Sequence, residues 1–187
     1  MILKFKISRT VNVSKYVALW NTWDHEHLPY VHKQFGNSKI LYEDKNVVFI
    51  ETKMKIPFTP FFISSLHTLT NTKDNNVLVI DTMPFGIIAK LYMEYIQLSP
   101  KKTRLVNHYE LSLPGFFLPF KKIIISSIRR WNNVNWNEDL PLKLRRQLAL
   151  DFGFKDFFGN DPKNKNKPDI LNLPLPRLRG SILNERN

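Results

Sequence analysis

Residues 21–32 read Asn-Thr-Trp-Asp-His-Glu-His-Leu-Pro-Tyr-Val-His, so nine residues carry Asp24, His25, Glu26, His27 and His32. Imidazole and carboxylate together are the donor set of iron, zinc and their neighbours. His27 and His32 are the pair with ligand spacing, given a bend between them. In an unbroken helix they would lie about 140° apart and could not share a small ion. Pro29 stands between them, and its ring is expected to push Leu28 out of helical geometry and re-aim His32 towards His27. Asp24 is a candidate to accept a ring N–H and fix a histidine's tautomer. His25 and Glu26 do not complete a His-Glu-x-x-His zinc motif, because Leu28 occupies the second histidine position. Both read as exposed, with His25 as a rim group.

The elements that must position these groups follow from pattern. Residues 2–8 alternate Leu3, Phe5 and Ile7 with Lys4, Lys6 and Ser8, which predicts a strand. Ser14 has the character of an N-cap, opening a helix with Tyr16, Trp20 and Trp23 at one-face spacing; His27 continues that stripe. Strands are expected at 38–44, 46–56, 64–70, 76–83, 86–98 and 104–113. The loop between the second and third of these carries Pro57, Phe58, Pro60, Phe61 and Phe62, a lid or core cluster. After Pro114-Gly115, a long helix is expected over 116–135 and a second helical pattern over 137–151. Strand, helix, about six antiparallel strands and long helix make an α+β fold. The sheet curves around the long C-terminal helix and leaves an apolar cleft.

The chain has 187 residues, 43% hydrophobic and 24% charged, which suits one domain. The expected domain spans 1–158. The Pro-, Asn- and Lys-rich stretch 159–187 reads as a tail. There is no cysteine, which excludes disulfides, thiolate metal sites and self-held iron–sulfur clusters and fits a reducing, cytoplasmic setting. No apolar run is long enough to span a membrane. The net charge of +12 favours an anionic partner, an acidic protein or an acidic lipid surface. No nucleic-acid motif is present. Peripheral membrane contact is compatible with the charge and the 58–62 aromatics.

On these residues the chain resembles the START-like (SRPBCC) superfamily with its helix-grip fold. Asn21-x-x-Asp24-x-x-His27-x-x-x-x-His32 is similar to the iron-binding segment of the catalytic domain of Rieske non-haem iron oxygenases, and His27-Leu-Pro-Tyr-Val-His32 is close in wording. The resemblance covers roughly 1–158. It implies an Fe(II) centre held by His27, His32 and a distant aspartate in an acidic pair, for which Glu138-Asp139 stands in place. It also gives Asp24 a role beside the metal, linking it to electron transfer. The chain departs from that family in lacking a Rieske domain, so electrons must come from a separate donor. The His32–Asp139 spacing is also short for the family.

Three functions are therefore weighed. One is a mononuclear iron oxygenase acting on a hydrophobic small molecule, fed by an acidic donor steered by Lys33, Arg145 and Arg146. The second is a non-catalytic carrier of a lipid or other hydrophobic ligand. The third fills the site with zinc for hydrolysis. Against the metal reading, lone histidines among aromatics are usually core residues, and Asp139 at a helix start would be explained by free N–H groups there. His67 and His108 read as ordinary strand positions, though either could face the pocket.

Overall fold

The computed structural model describes residues 1–152, except 45, 57–59, 73, 75 and the side chain of Glu26. The expected boundary at 158, the tail 159–187 and Phe58 lie outside the described residues. The strand β1 (Ile2–Val11) is followed by the helix α1 (Lys15–Trp23), a 3-10 turn His25–His27 and the short helix α2 (Leu28–Val31). Then come β2 (Phe35–Glu43), β3 (Val47–Lys55), β4 (Phe62–Asn71), β5 (Val77–Met83), β6 (Ile87–Ser99) and β7 (Lys102–Ser112), and the helix α3 (Lys121–Asp151). The seven strands form one antiparallel sheet in the order β1-β7-β6-β5-β4-β3-β2. This is the expected sheet curved about a long C-terminal helix.

Local chemistry explains the elements. Ser14 caps α1, its hydroxyl accepting from the Val17 N–H at 3.3 Å. Its own N–H donates to Gln147 Oε1 at 2.8 Å, tying the start of α1 to α3. Asp44 Oδ1 accepts from the N–H groups of Asn46 and Val47 and sets the β2–β3 turn. The edge strand β2 carries register shifts after Phe35 and after Ile40, which bend it.

The α3 helix departs from expectation. The two helical patterns are one helix of 31 residues, about 46 Å long. The helix runs through Asn132, Asn133, Asn135 and Asn137, all poor helix formers. Tertiary contacts override them: Asn132 Oδ1 accepts from Asn107 Nδ2 at 2.8 Å and from the Tyr109 hydroxyl at 2.6 Å, and Trp136 is buried.

The α1 stripe is also different. Its buried residues are Val17, Ala18, Leu19, Asn21 and Trp23, while Tyr16 and Trp20 are half-buried. Trp20 lies under the Arg146 guanidinium, 4.7 Å from its ring centre.

The core has two parts. One packs α1 and the later turns of α3 against the sheet through Val17, Leu19, Trp23, Val48, Ile50 and Trp136. The other gathers Ala89, Leu111 and Leu113 with Leu3, Phe5, Ile124 and Ile128 at the start of α3. Ile50 is 1% exposed, so Ile50→Ala is expected to destabilise by about 2–5 kcal/mol. Leu41→Ala, at a half-exposed edge position, should change stability by about 0.5 kcal/mol or less. Urea unfolding of the two variants compares them directly; equal losses would mean that the core is not where the structure puts it.

Candidate metal centre

The bend that aims His32 is made earlier than the sequence suggested. The α1 helix stops at Trp23, and Asp24, with φ −81 and ψ 83, turns the chain into the His25–His27 turn. Leu28 keeps helical angles (φ −50, ψ −55), contrary to the expectation from Pro29. Pro29 occupies the first turn of α2, where its missing N–H is not needed. His27 thus leaves the α1 stripe, and His32 ends α2 in an extended conformation. Asp139 lies past the middle of α3, not at a helix start, so free N–H groups do not account for it.

His27, His32 and Asp139 converge, with one donor atom from each within 4.8 Å of the others. Asp139 Oδ1 is 3.2 Å from His27 Nε2 and 3.1 Å from His32 Nε2. The outer nitrogens are occupied by acceptors. His27 Nδ1 is hydrogen-bonded to the Asp24 carbonyl, and His32 Nδ1 donates to Glu138 Oε2 at 3.0 Å. In neutral imidazoles, donation from Nδ1 to these acceptors leaves the Nε2 lone pairs pointing at the Asp139 carboxylate. Three acceptors crowded together repel unless a proton or a cation joins them. Two donors bound about 2.1 Å from one metal ion at right angles are about 3.0 Å apart, close to the spacing seen. Lys143 Nζ is 2.9 Å from Asp139 Oδ2, which leaves Oδ1 as the available oxygen.

Electrostatics follow the geometry. Burial opposes charge on His32, but hydrogen bonds to Asp139 and Glu138 outweigh it and raise its pKa. Burial would raise Asp139; hydrogen bonds from His27 and His32 and the Lys143 charge reverse this and hold the carboxyl far below its usual range.

Other expectations need correction. The Asp24 carboxylate does not orient a histidine: it pairs with Arg146, and the backbone carbonyl takes the ring N–H. Arg146 also donates to Asn21 Oδ1 at 2.9 Å, so it is a structural tie and not a free steering charge. His25 is no rim group. It is 3% exposed, edge-on to Trp23, and burial pushes its pKa down to about 3, with His27 and His67 adding to the effect. His67 faces inward, its Nδ1 against the Asp81 carboxylate, while His108 pairs with Glu94 at 3.3 Å. The Phe35 ring links His67 with His32 and Trp131, at centre distances of 6.2, 5.8 and 5.8 Å. His67 and Asp81 are opposite each other in the β4–β5 ladder, a pair readable once that register is known.

A groove of about 520 Å³ lies on the far face of the sheet, by Lys4, Lys6, Leu78, Lys90 and Tyr92. The inner cleft holds a belt of buried polar atoms without partners among the described residues: His67 Nε2, Asn107 Oδ1, Trp131 Nε1, Asn132 Nδ2 and Asn135 Oδ1.

No protein-family model matches the sequence, and no curated protein matches it. Solved structures do. The Zhui aromatase/cyclase from Streptomyces sp. R1128 superposes with a TM-score of 0.67 at 10% identity, over 78% of this chain and 96% of that one. The di-domain ARO/CYC StfQ from the steffimycin biosynthetic pathway gives 0.68 at 9% identity, over 78% and 52%. A norcoclaurine synthase point mutant from Thalictrum flavum, in complex with a transition-state analogue, gives 0.56 at 12%, over 78% and 96%. At such identities the likeness shows the fold, which is helix-grip. None of these three is a Rieske oxygenase, so resemblance to that family rests on the two motifs alone.

Buried His25 generates a pH prediction. Unfolded chains take up a proton at His25 below about pH 6.5, while the folded protein resists until about 3. Stability therefore falls as pH drops through 6.5, by up to about 1.4 kcal/mol per pH unit. His32 acts oppositely in chelator-treated protein: its raised pKa adds stability at low pH that is lost as pH rises through it. His25→Gln should lose less stability than the parent between about pH 7 and about pH 5, measured by urea unfolding in chelator. An unchanged acid slope would remove His25 from this role.

Proposed function

We propose that this helix-grip protein binds a small, mainly apolar molecule between α3 and the inner face of the sheet. We further propose that His27, His32 and Asp139 hold one divalent metal ion beside it. The observation that carries the reading is the convergence of one ligand atom each from His27, His32 and Asp139, with the outer ring nitrogens hydrogen-bonded to the Asp24 carbonyl and to Glu138. Two imidazoles and a single carboxylate oxygen suit Fe(II) and also accept zinc. Such an ion supplies Lewis acidity and, for iron, redox capacity at its open face.

The chain's own residues have separable tasks. Glu138 and the Asp24 carbonyl orient the two rings. Lys143 neutralises the second oxygen of Asp139 and keeps the carboxylate one-handed. The buried polar belt gives the molecule's polar groups partners; each such atom left unpaired costs about 1–3 kcal/mol. Solved neighbours with this fold are described as cyclases and norcoclaurine synthase, which supports a small-molecule cleft. The finer reading is an iron-dependent oxidation. With no cysteine in the chain, its electrons would come from a separate protein.

A specific observation favours a metal-free carrier as the second reading. Protonated His27 and His32, with Lys143, could satisfy Asp139 without an ion. Elemental analysis of protein purified without oxygen decides between them. The metal reading expects about one equivalent of iron or zinc per chain, lost in His27→Ala, His32→Ala and Asp139→Ala. Glu138→Gln should weaken binding about 10–100-fold through the orientation of His32. Metal-free protein that carries an apolar ligand would leave the carrier reading standing alone.

A further inference from the structure

The strand registers bring several loops to one end of the sheet. Lys55 pairs with Phe62, Met83 with Ile87, and Ser112 with both Ile2 and Ile88. The residues just before β4, the Pro84–Gly86 turn and the Gly115–Phe120 turn therefore share that end, and α3 begins there. Each presents large apolar side chains to solvent: Phe61 and Phe62, then Phe85, then Phe116, Leu118 and Phe120. Phe61, Phe85 and Phe116 are 68%, 79% and 67% exposed. Scattered exposed apolar residues are normal, but six aromatic or leucine side chains from three neighbouring loops are a patch.

Phe85 is unusual in conformation as well. Its φ is 64 and ψ 20, the left-handed region, at a cost of about 1–2 kcal/mol for a residue with a Cβ. Gly86 follows with φ 70. The left-handed pair Phe85–Gly86 closes the tight connection between β5 and β6, and it holds the Phe85 ring out in water.

Charge narrows the partner. Residues 52–73, 82–93 and 111–137, which supply these loops, contain no Asp or Glu. They carry exposed Lys53, Lys55, Lys90, Lys121 and Lys122. The nearby Glu110 is paired with Lys4 at 2.9 Å. An apolar tip with a purely basic surround matches a bilayer with anionic headgroups: rings enter the acyl boundary and lysines stay among the phosphates. A protein partner would ordinarily meet mixed charge on a flatter face.

The tip also lies beside the cleft. A Cβ at Gly36 would be 3.5 Å from the Phe62 ring, and next to Gly36 the Phe35 ring packs on His32 and Trp131. We propose that this end of the molecule docks on an anionic lipid surface, inserting Phe85, Phe116 and Phe120. On the small-molecule reading above, on which this clause alone rests, the ligand is then one that partitions into the bilayer.

Flotation of the full chain with vesicles tests this. Vesicles of phosphatidylcholine with roughly a third phosphatidylglycerol should carry the protein, less so as salt rises, and neutral vesicles should carry much less. Phe85→Ser with Phe116→Ser should lower the partition constant about tenfold or more per ring. Lys121→Gln and Lys122→Gln should each lower it about fivefold. Metal content and unfolding midpoint, measured on the same variants, should stay at the parent's values, which separates loss of docking from loss of the metal centre. Absence of flotation, or flotation indifferent to these residues, overturns the proposal. So does a parent that self-associates through the tip and becomes monomeric in the phenylalanine variant without ever binding vesicles.

Discussion

A buried carboxylate oxygen shared by two imidazole nitrogens is the constraint on which the rest of this fold depends. Asp139 Oδ1 stands about equally far from His27 Nε2 and His32 Nε2, and the outer nitrogen of each ring is hydrogen-bonded elsewhere. That arrangement demands positive charge at its centre. It also demands that a loop after α1 and a point past the middle of α3 stay in register. Ser14 on Gln147, Asp24 on Arg146 and Arg146 on Trp20 all bind the same two segments. The segment that looks like a ligand loop is therefore also the main seam between α1 and α3. Removing one partner from such a seam leaves a buried charge behind, which is more damaging than never having had the pair.

The helix supplies the reach. Residues 132, 136, 139, 143, 147 and 150 recur at three- and four-residue steps along α3 and are buried or nearly so. Four of the six are polar or charged: Asn132 meets the sheet, Asp139 and Lys143 form the centre, and Gln147 holds α1. This is why the helix has a weak apolar stripe and yet is gripped by the sheet. Burial is achieved by specific pairings, with Trp136 and Leu150 as its apolar anchors.

Much of this was legible in the sequence, for reasons that differ by residue. Strands declared themselves by strict alternation, and Ser14 by its place before an amphipathic run. His27, His32 and Asp139 were nominated by a family wording, which carries spatial information that periodicity cannot. The misses came where tertiary contacts outvote local preference. The α3 helix read as two patterns, 116–135 and 137–151; across that junction Asn132 and Asn137 have their partners on β7 and β1, far away in sequence. Pro29 looked like the bend because prolines break helices, but Asp24 had already ended α1. Asp24 and Arg146 looked like functional charges, and each found the other. His25 looked exposed because its neighbours in sequence are charged, while its neighbours in space are Trp23, His27 and His67.

Lys143 gives the centre its particular character. A lysine this buried is tolerated because Asp139 answers its charge at 2.9 Å, one helical turn away. The same contact removes Oδ2 from the ligand set. A carboxylate free at both oxygens can bind a metal ion through two atoms and fill two positions; one held by Lys143 fills only one. A bound ion would then be held by three donor atoms, one nitrogen from each ring and Oδ1 of Asp139. The buried lysine thus lets one helix carry both the anchor of the centre and the wall of the cleft.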